Sequence, residues 1–169
     1  MATITTLEEK MKHGLGDVYD AEHQFLEAQQ EMLSQANSQT VKSLLEEHIA
    51  QTEQQIGILE QVYEVMGEKP ERIKCAGAAG IVSEGQKTLK EVSGNPALVD
   101  LAIAGGCSKV EHYEISSYRM LITGAQQTGK SEVAQLLQQI LQQEEQTAQK
   151  IEQSTPQLFK QAMSQAAGA

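Results

Sequence analysis

The stretch GEKPERIKCAGAAGIVSEGQKTLKEVSGNP, residues 67–96, decides the fold. It separates two pairs of long helical segments. Gly67 with Pro70 just beyond it is a usual helix stop. Gly94-Asn95-Pro96 at the far end is a turn, with Pro96 suited to the first turn of a new helix. Between them Ile81, Val82, Leu89 and Val92 share one side, so a short helix fits over 78–92. The 28 residues from Glu68 to Asn95 are long enough to travel the length of a helical bundle. They read as a crossover and not as one of its main helices.

Upstream, Leu7, Met11, Leu15, Val18, Phe25, Met32 and Leu33 follow the spacing of one helix face. Thr5 or Thr6 can cap that helix, with Glu8 or Glu9 completing a capping box. The pattern dissolves at Ala36-Asn37-Ser38 and resumes through Val41, Leu45, Ile49, Ile56, Leu59, Val62 and Met66. Downstream, a third long helix starts at Pro96, and a fourth starts near Ser131 after Gln126-Gln127-Thr128 and Gly129. The expected helices are 6–36, 39–66, 78–92, 96–123 and 131–152, in one domain over 1–169. Ser154-Thr155-Pro156 is expected to end the last long helix or begin a short terminal one, and the tail 162–169 is expected to fray. Short loops make neighbouring helices antiparallel. The order long, long, crossover, long, long is that of an all-α, ferritin-like four-helix bundle with one long crossover carrying a short extra helix.

Composition agrees. The chain has 169 residues, 40% of them hydrophobic and only 4% aromatic. That is enough apolar matter for a core, and it favours helix over strand. The formal charge of −10 makes nucleic acid and anionic membrane surfaces poor partners. No apolar run is long enough to span a bilayer. Residues 1–12 lack the basic-then-apolar order of a secretory signal. Two cysteines, Cys75 and Cys107, are too few for a disulfide framework or a zinc cage, so a reducing cytoplasm is expected.

The informative residues are acids on faces that should be apolar. Glu22 lies between Val18 and Phe25 on the first helix. His48 shares the second helix's stripe with Val41, Leu45, Thr52, Gln55 and Leu59, with Glu53 at its edge. Glu111 and Glu114 share a face with Cys107, Ile115 and Tyr118. Glu144 falls in the seam of Leu137, Ile140, Ala148 and Ile151, with Glu145 at its edge. A height check brings them level. Folded about Asn37, Glu22 meets residue 52; folded about Thr128, Glu111 and Glu114 meet residues 145 and 142. Several unpaired carboxylates at one depth cost several kcal/mol each (about that, per ion). They must be protonated, exposed or compensated by cations. Carboxylates with an imidazole are hard ligands that suit Fe, Mn or Mg, and dinuclear bundle sites are built from such sets.

The segments VYDAEHQ (18–24), EEHIAQTEQQ (46–55), GEKP (67–70), VEHYEI (110–115) and Glu144-Glu145 stand in the order found in the YciE/YciF ferritin-like family, which the chain resembles over about residues 5–155. The resemblance implies a rubrerythrin-like helical fold, a homodimer and a link to bacterial stress. It also implies a site for two divalent metal ions, Fe or Mn, with Glu22, His48, Glu111, Glu114, Glu144 and Glu145 as ligands. The chain departs from the family pattern at Gln51 and Gln149, where acids are frequent; amides there would lower the negative charge of the site. Peroxide or O₂ chemistry is the leading expectation. The alternatives are a non-enzymatic dimeric helical stress protein with a vestigial or structural metal site, and a helical adaptor with an acidic surface. Tyr19 and Tyr118 are either hydrogen-bond partners of the acids or half-buried core. Cys107 is expected in the core, His13 and His23 at the surface, and His112 packed or at an interface.

Overall fold

Four of the five helices begin where a side chain caps them. The structure, a computed structural model, describes residues 3–166 as five helices: α1 (Leu7–Gln35), α2 (Gln39–Val65), α3 (Ala76–Val92), α4 (Pro96–Gln127) and α5 (Ser131–Ala166). Thr6 and Glu9 form the capping box of α1. Ser38 caps α2, Cys75 caps α3, and Asn95 with Pro96 behind it starts α4. Both long hairpin partners end in the same way. Gly67 and Gly129 take φ of 69° and 71°, a left-handed conformation that costs glycine nothing. The following amides, Glu68 N–H and Lys130 N–H, then reach back to the carbonyls of Tyr63 and Ala125 at 3.0 and 2.8 Å, which satisfies the last turn.

α1 packs against α2 and α4, and α5 packs against α4 and α2, so the four long helices close a ring. The crossover lies over α1 and α4. Its segment before α3 crosses α1 so closely at Gly16 that a Cβ there would overlap Ile73, and Ile73 N–H donates to the Gly16 carbonyl at 3.0 Å. Asp20 fastens the same segment, accepting from Arg72 Nε, Cys75 N–H and Gln24 Nε2 at 2.8, 2.8 and 2.6 Å. Asp100 does the corresponding work at the α1–α2 turn, taking the amides of Asn37 and Ser38 at 2.7 Å each.

The core is divided. One apolar cluster gathers Leu15, Val18, Leu59, Val62, Ile122, Leu137 and Ile140. Another gathers Met32, Val41, Leu45, Ile103, Ile151 and Leu158. Along α1, α2 and α4 the inward residues pass from one cluster to the other through polar positions. That places a polar layer inside the ring at mid-height.

The last helix differs from expectation. It does not stop at 152 but runs through Pro156 to Ala166. Pro156 brings no N–H for the Glu152 carbonyl and normally costs about 3 kcal/mol in a helix. Ser154 and Thr155 bend back to donate to the Ile151 carbonyl at 2.9 and 2.7 Å. Beyond the proline, Leu158 is 1% exposed in the second cluster, a burial that contributes about 2 kcal/mol and holds the helix on. The tail expected to fray is therefore helical as far as Ala166; residues 167–169 lie outside the described residues. Among the described residues no helix is long and apolar enough to cross a membrane.

Candidate metal centre

All four long helices contribute to the polar layer. α1 brings Glu22, α2 brings His48, α4 brings Glu111 and Glu114 one turn apart, and α5 brings Glu144. Each is at most 3% exposed. Ligand atoms of His48, Glu111, Glu114 and Glu144 all lie within 4.8 Å of one another. Donors about 2.1–2.2 Å from a shared ion stand roughly 3 Å apart when adjacent and about 4.3 Å apart when opposite, so this spread is close to that of one coordination shell. Glu22 lies beside this group, against Glu114 and Glu144, and Tyr118 Oη–H donates to its Oε1.

The polar atoms here are short of partners. Glu22 Oε2, both oxygens of Glu111 and Glu144, and Glu114 Oε1 are buried without a hydrogen bond. His48 Nε2 comes within 2.7 Å of Glu111 Oε1, yet the approach lacks hydrogen-bond direction and both atoms stay unsatisfied by that measure. Two donors side by side and not aimed at each other are what two adjacent ligands of one cation look like. Gln55 Oε1 on α2 and Gln143 Oε1 on α5 are also buried and unpaired.

The protonation energetics follow from burial. Burial pushes the Glu111 carboxyl up from 4.5 to about 8, the charge of Glu22 adding to the rise and the contact with Glu144 partly offsetting it. Burial also lifts Glu22, Glu114 and Glu144 well above the carboxylate range. The charge of Glu144 reinforces the rise at Glu22, the charges of the other three acids reinforce it at Glu114, and Glu111 does so at Glu144. Tyr118 is raised for the same two reasons, burial first and Glu22 second. Four carboxylates in this space cannot all ionise unaided. They carry full charge only opposite cations.

The other expected residues lie elsewhere. Glu145 is a correction: one residue past Glu144, it turns outward around the helix and pairs with Arg119 at 2.7 Å on the surface. Gln149 is exposed, and Gln51 accepts a bond from Thr147 Oγ1 at 2.8 Å. Neither amide stands among the orphaned oxygens, so these two departures do not thin the cluster. Tyr19 bonds Glu60 at 3.1 Å, away from the layer. His112 is exposed, with Nδ1 on the Ser108 carbonyl at 2.8 Å, so it is not packed within this chain. Thr52 and Gln29 satisfy each other across α1 and α2 at 3.2 Å. Gln55 stands in the expected stripe but is given no role there. Its signal was present, a third polar side chain in the stripe of His48 and Thr52.

Similarity to known proteins covers the same residues. A family model described as a domain of unknown function (DUF892) matches residues 6–164. Protein YciF of Escherichia coli (strain K12) is 32% identical over 145 residues, 85% of this chain and 87% of that protein. Two solved structures align closely. The crystal structure of the E. coli stress protein YciF gives a TM-score of 0.87 at 30% identity over 93% of this chain and 99% of that one. YcfI from Rhodopseudomonas palustris, for which a structural role has been suggested, gives 0.86 at 33% identity over 88% and 94%. A protein from Xanthomonas campestris pv. campestris shares the fold, with a TM-score of 0.74 at 23% identity.

Proposed function

The chain belongs to the YciF family, and on that footing we propose that it is a ferritin-like four-helix-bundle stress protein whose interior carboxylate layer holds two divalent ions, Fe or Mn. The observation that carries this reading is the set of buried carboxylate oxygens with no partner, converging from α1, α4 and α5 and met by the His48 imidazole from α2. The donor set fits such ions: carboxylates with one imidazole, and no thiolate among them. His48, Glu111, Glu114 and Glu144 are the residues that hold the first ion. Glu22, with Glu114 and Glu144 shared, is assigned to the second. Bound there, iron or manganese would supply reduction of O₂ or peroxide, the use that fits a stress protein.

The chain's own contribution is placement and exclusion. Tyr118 holds one oxygen of Glu22 and leaves the other free. The apolar clusters above and below the layer keep bulk water out, which strengthens every interaction between the carboxylates and a cation. The reading extends to a homodimer in a reducing cytoplasm, where Cys75 and Cys107 stay free thiols.

A second reading is a structural ion. Ligands from α2, α4 and α5 on one cation would cross-link three helices, and the structural role suggested for YcfI accords with that. Metal counts decide whether either holds. The protein, purified without chelator, is expected to carry Fe or Mn in stoichiometric amount, and Glu22→Ala and Glu111→Ala are expected to lose it. The same trace metal in all three preparations overturns both readings. Turnover of O₂ or peroxide by the loaded protein separates the redox centre from the structural one.

A further inference from the structure

The two long hairpins repeat each other across the carboxylate layer. Glu22-His23 on α1 recurs as Glu111-His112 on α4. From Glu22 to Gln55 on α2, and from Glu111 to Glu144 on α5, the separation is 33 residues in each case. Gln55 and Glu144 are both 1% exposed. Gln55 therefore holds on the first hairpin the place that Glu144 holds on the second. Where α5 brings a carboxylate, α2 brings an amide.

Contacts between helices fix the height of that amide. Tyr19 meets Glu60 at 3.1 Å and Gln29 meets Thr52 at 3.2 Å, both between α1 and α2. Glu22 and Gln55 fall between those two contacts. Gln54 Oε1 accepts from Gln143 Nε2 at 3.5 Å, and these are the residues just before Gln55 and Glu144. Gln55 is thus level with Glu144 and lies along the same stretch of the bundle as Glu22. It stands on the buried stripe of α2 with His48, Thr52 and Leu59. Its Oε1 is buried without a partner, as are Glu22 Oε2 and both oxygens of Glu144. Buried polar atoms are normally satisfied. An amide oxygen is a hard neutral donor that suits the same cations as a carboxylate.

Charge supports an amide here. Four carboxylates, Glu22, Glu111, Glu114 and Glu144, offset two divalent ions in full. A fifth at position 55 would leave a buried negative charge uncompensated. The charge is also unevenly shared. The ion held by His48, Glu111, Glu114 and Glu144 has three carboxylates, whereas the other has only Glu22 of its own beside the shared pair.

We propose that Gln55 is the neutral oxygen ligand of the second ion, and that the two ions load in order, the His48 position first and the Glu22–Gln55 position second and more weakly. This rests on the metal reading above. The test titrates the full chain, stripped of metal, with Mn²⁺, using calorimetry to count binding steps and EPR of free Mn²⁺ to measure uptake. The unaltered chain is expected to take two ions in two resolved steps. Gln55→Leu is expected to keep the first step and to weaken the second by at least about tenfold. Gln55→Glu is expected to tighten the second step by a similar factor, and carries the test alone should the leucine variant fold poorly. Two equal steps in the unaltered chain overturn the proposal. So does a second step that Gln55→Leu leaves unmoved, the result if the amide N–H merely holds a carboxylate, or one that Gln55→Glu fails to tighten. Those outcomes leave two bound ions and the metal reading intact, whereas no uptake by the unaltered chain overturns both.

Discussion

Removing cations from the carboxylate layer is predicted to make folding stability fall as pH rises, against the usual behaviour of proteins rich in paired acids. The sign follows from Glu111. In the folded chain it keeps its proton up to about pH 8, while the unfolded chain releases it near 4.5. Between those values the folded state binds more protons than the unfolded one, so each pH unit of rise costs about 1.4 kcal/mol for this group. Across the whole window the loss is on the order of 5 kcal/mol for the coupled acids of the layer. That is comparable to the entire stability of a marginal domain, roughly 5–15 kcal/mol. Glu22, Glu114 and Glu144 act in the same direction. The assay is urea unfolding at intervals from pH 5 to pH 8, with chelator and then with excess Mn²⁺. The chelated protein is expected to be most stable near pH 5 and to lose most of its margin by pH 8. Mn²⁺ is expected to remove the fall, because the ion stabilises the ionised carboxylates that bulk pH otherwise penalises. Glu111→Gln is expected to flatten the chelated profile. A chelated protein as stable at pH 8 as at pH 5 would refute the claim that these acids are buried and uncompensated.

Other expectations concern single contacts. Tyr118→Phe leaves both oxygens of Glu22 without a donor and is expected to destabilise the chelated protein by about 1–3 kcal/mol in the same urea assay, with a smaller effect once Mn²⁺ is bound. Asp20→Ala strands the buried amide of Cys75 and frees Arg72. It is expected to cost about 1–3 kcal/mol and to raise hydrogen exchange in the crossover before α3 and at its first turn, leaving α5 unaffected. Glu145→Gln breaks an exposed pair with Arg119. It is expected to change stability by less than about 1 kcal/mol and to leave metal content unaltered, which separates it from Glu144→Gln.

The sequence made the acid layer legible for a definite physical reason. A charged residue that recurs in phase with Val18 and Phe25, or with Leu137 and Ile140, has nowhere to go but inward, and counting residues from each turn puts such positions at one level. The same arithmetic is weakest at stripe edges, where one residue corresponds to a large rotation around the helix axis. Glu145, at the edge of the seam, is expected as a ligand and instead points out to Arg119. Gln55 was read as part of a stripe, without a role. Asp20 and Asp100 had no signature at all, because a carboxylate that accepts backbone amides from a segment more than fifty residues away follows no period. Pro156 looked like a stop because local propensity says so; the place waiting for Leu158 in the core is visible only once the helices are assembled.

The central claim is that positive ions occupy the space between Glu22, His48, Glu111, Glu114 and Glu144. Anomalous X-ray diffraction from crystals soaked in Mn²⁺, collected at the manganese edge, tests it most directly. The account predicts two strong peaks inside the ring of helices, about 3.5–4 Å apart, within bonding distance of those side chains. No interior peak, or manganese bound only at the outer surface, would contradict it.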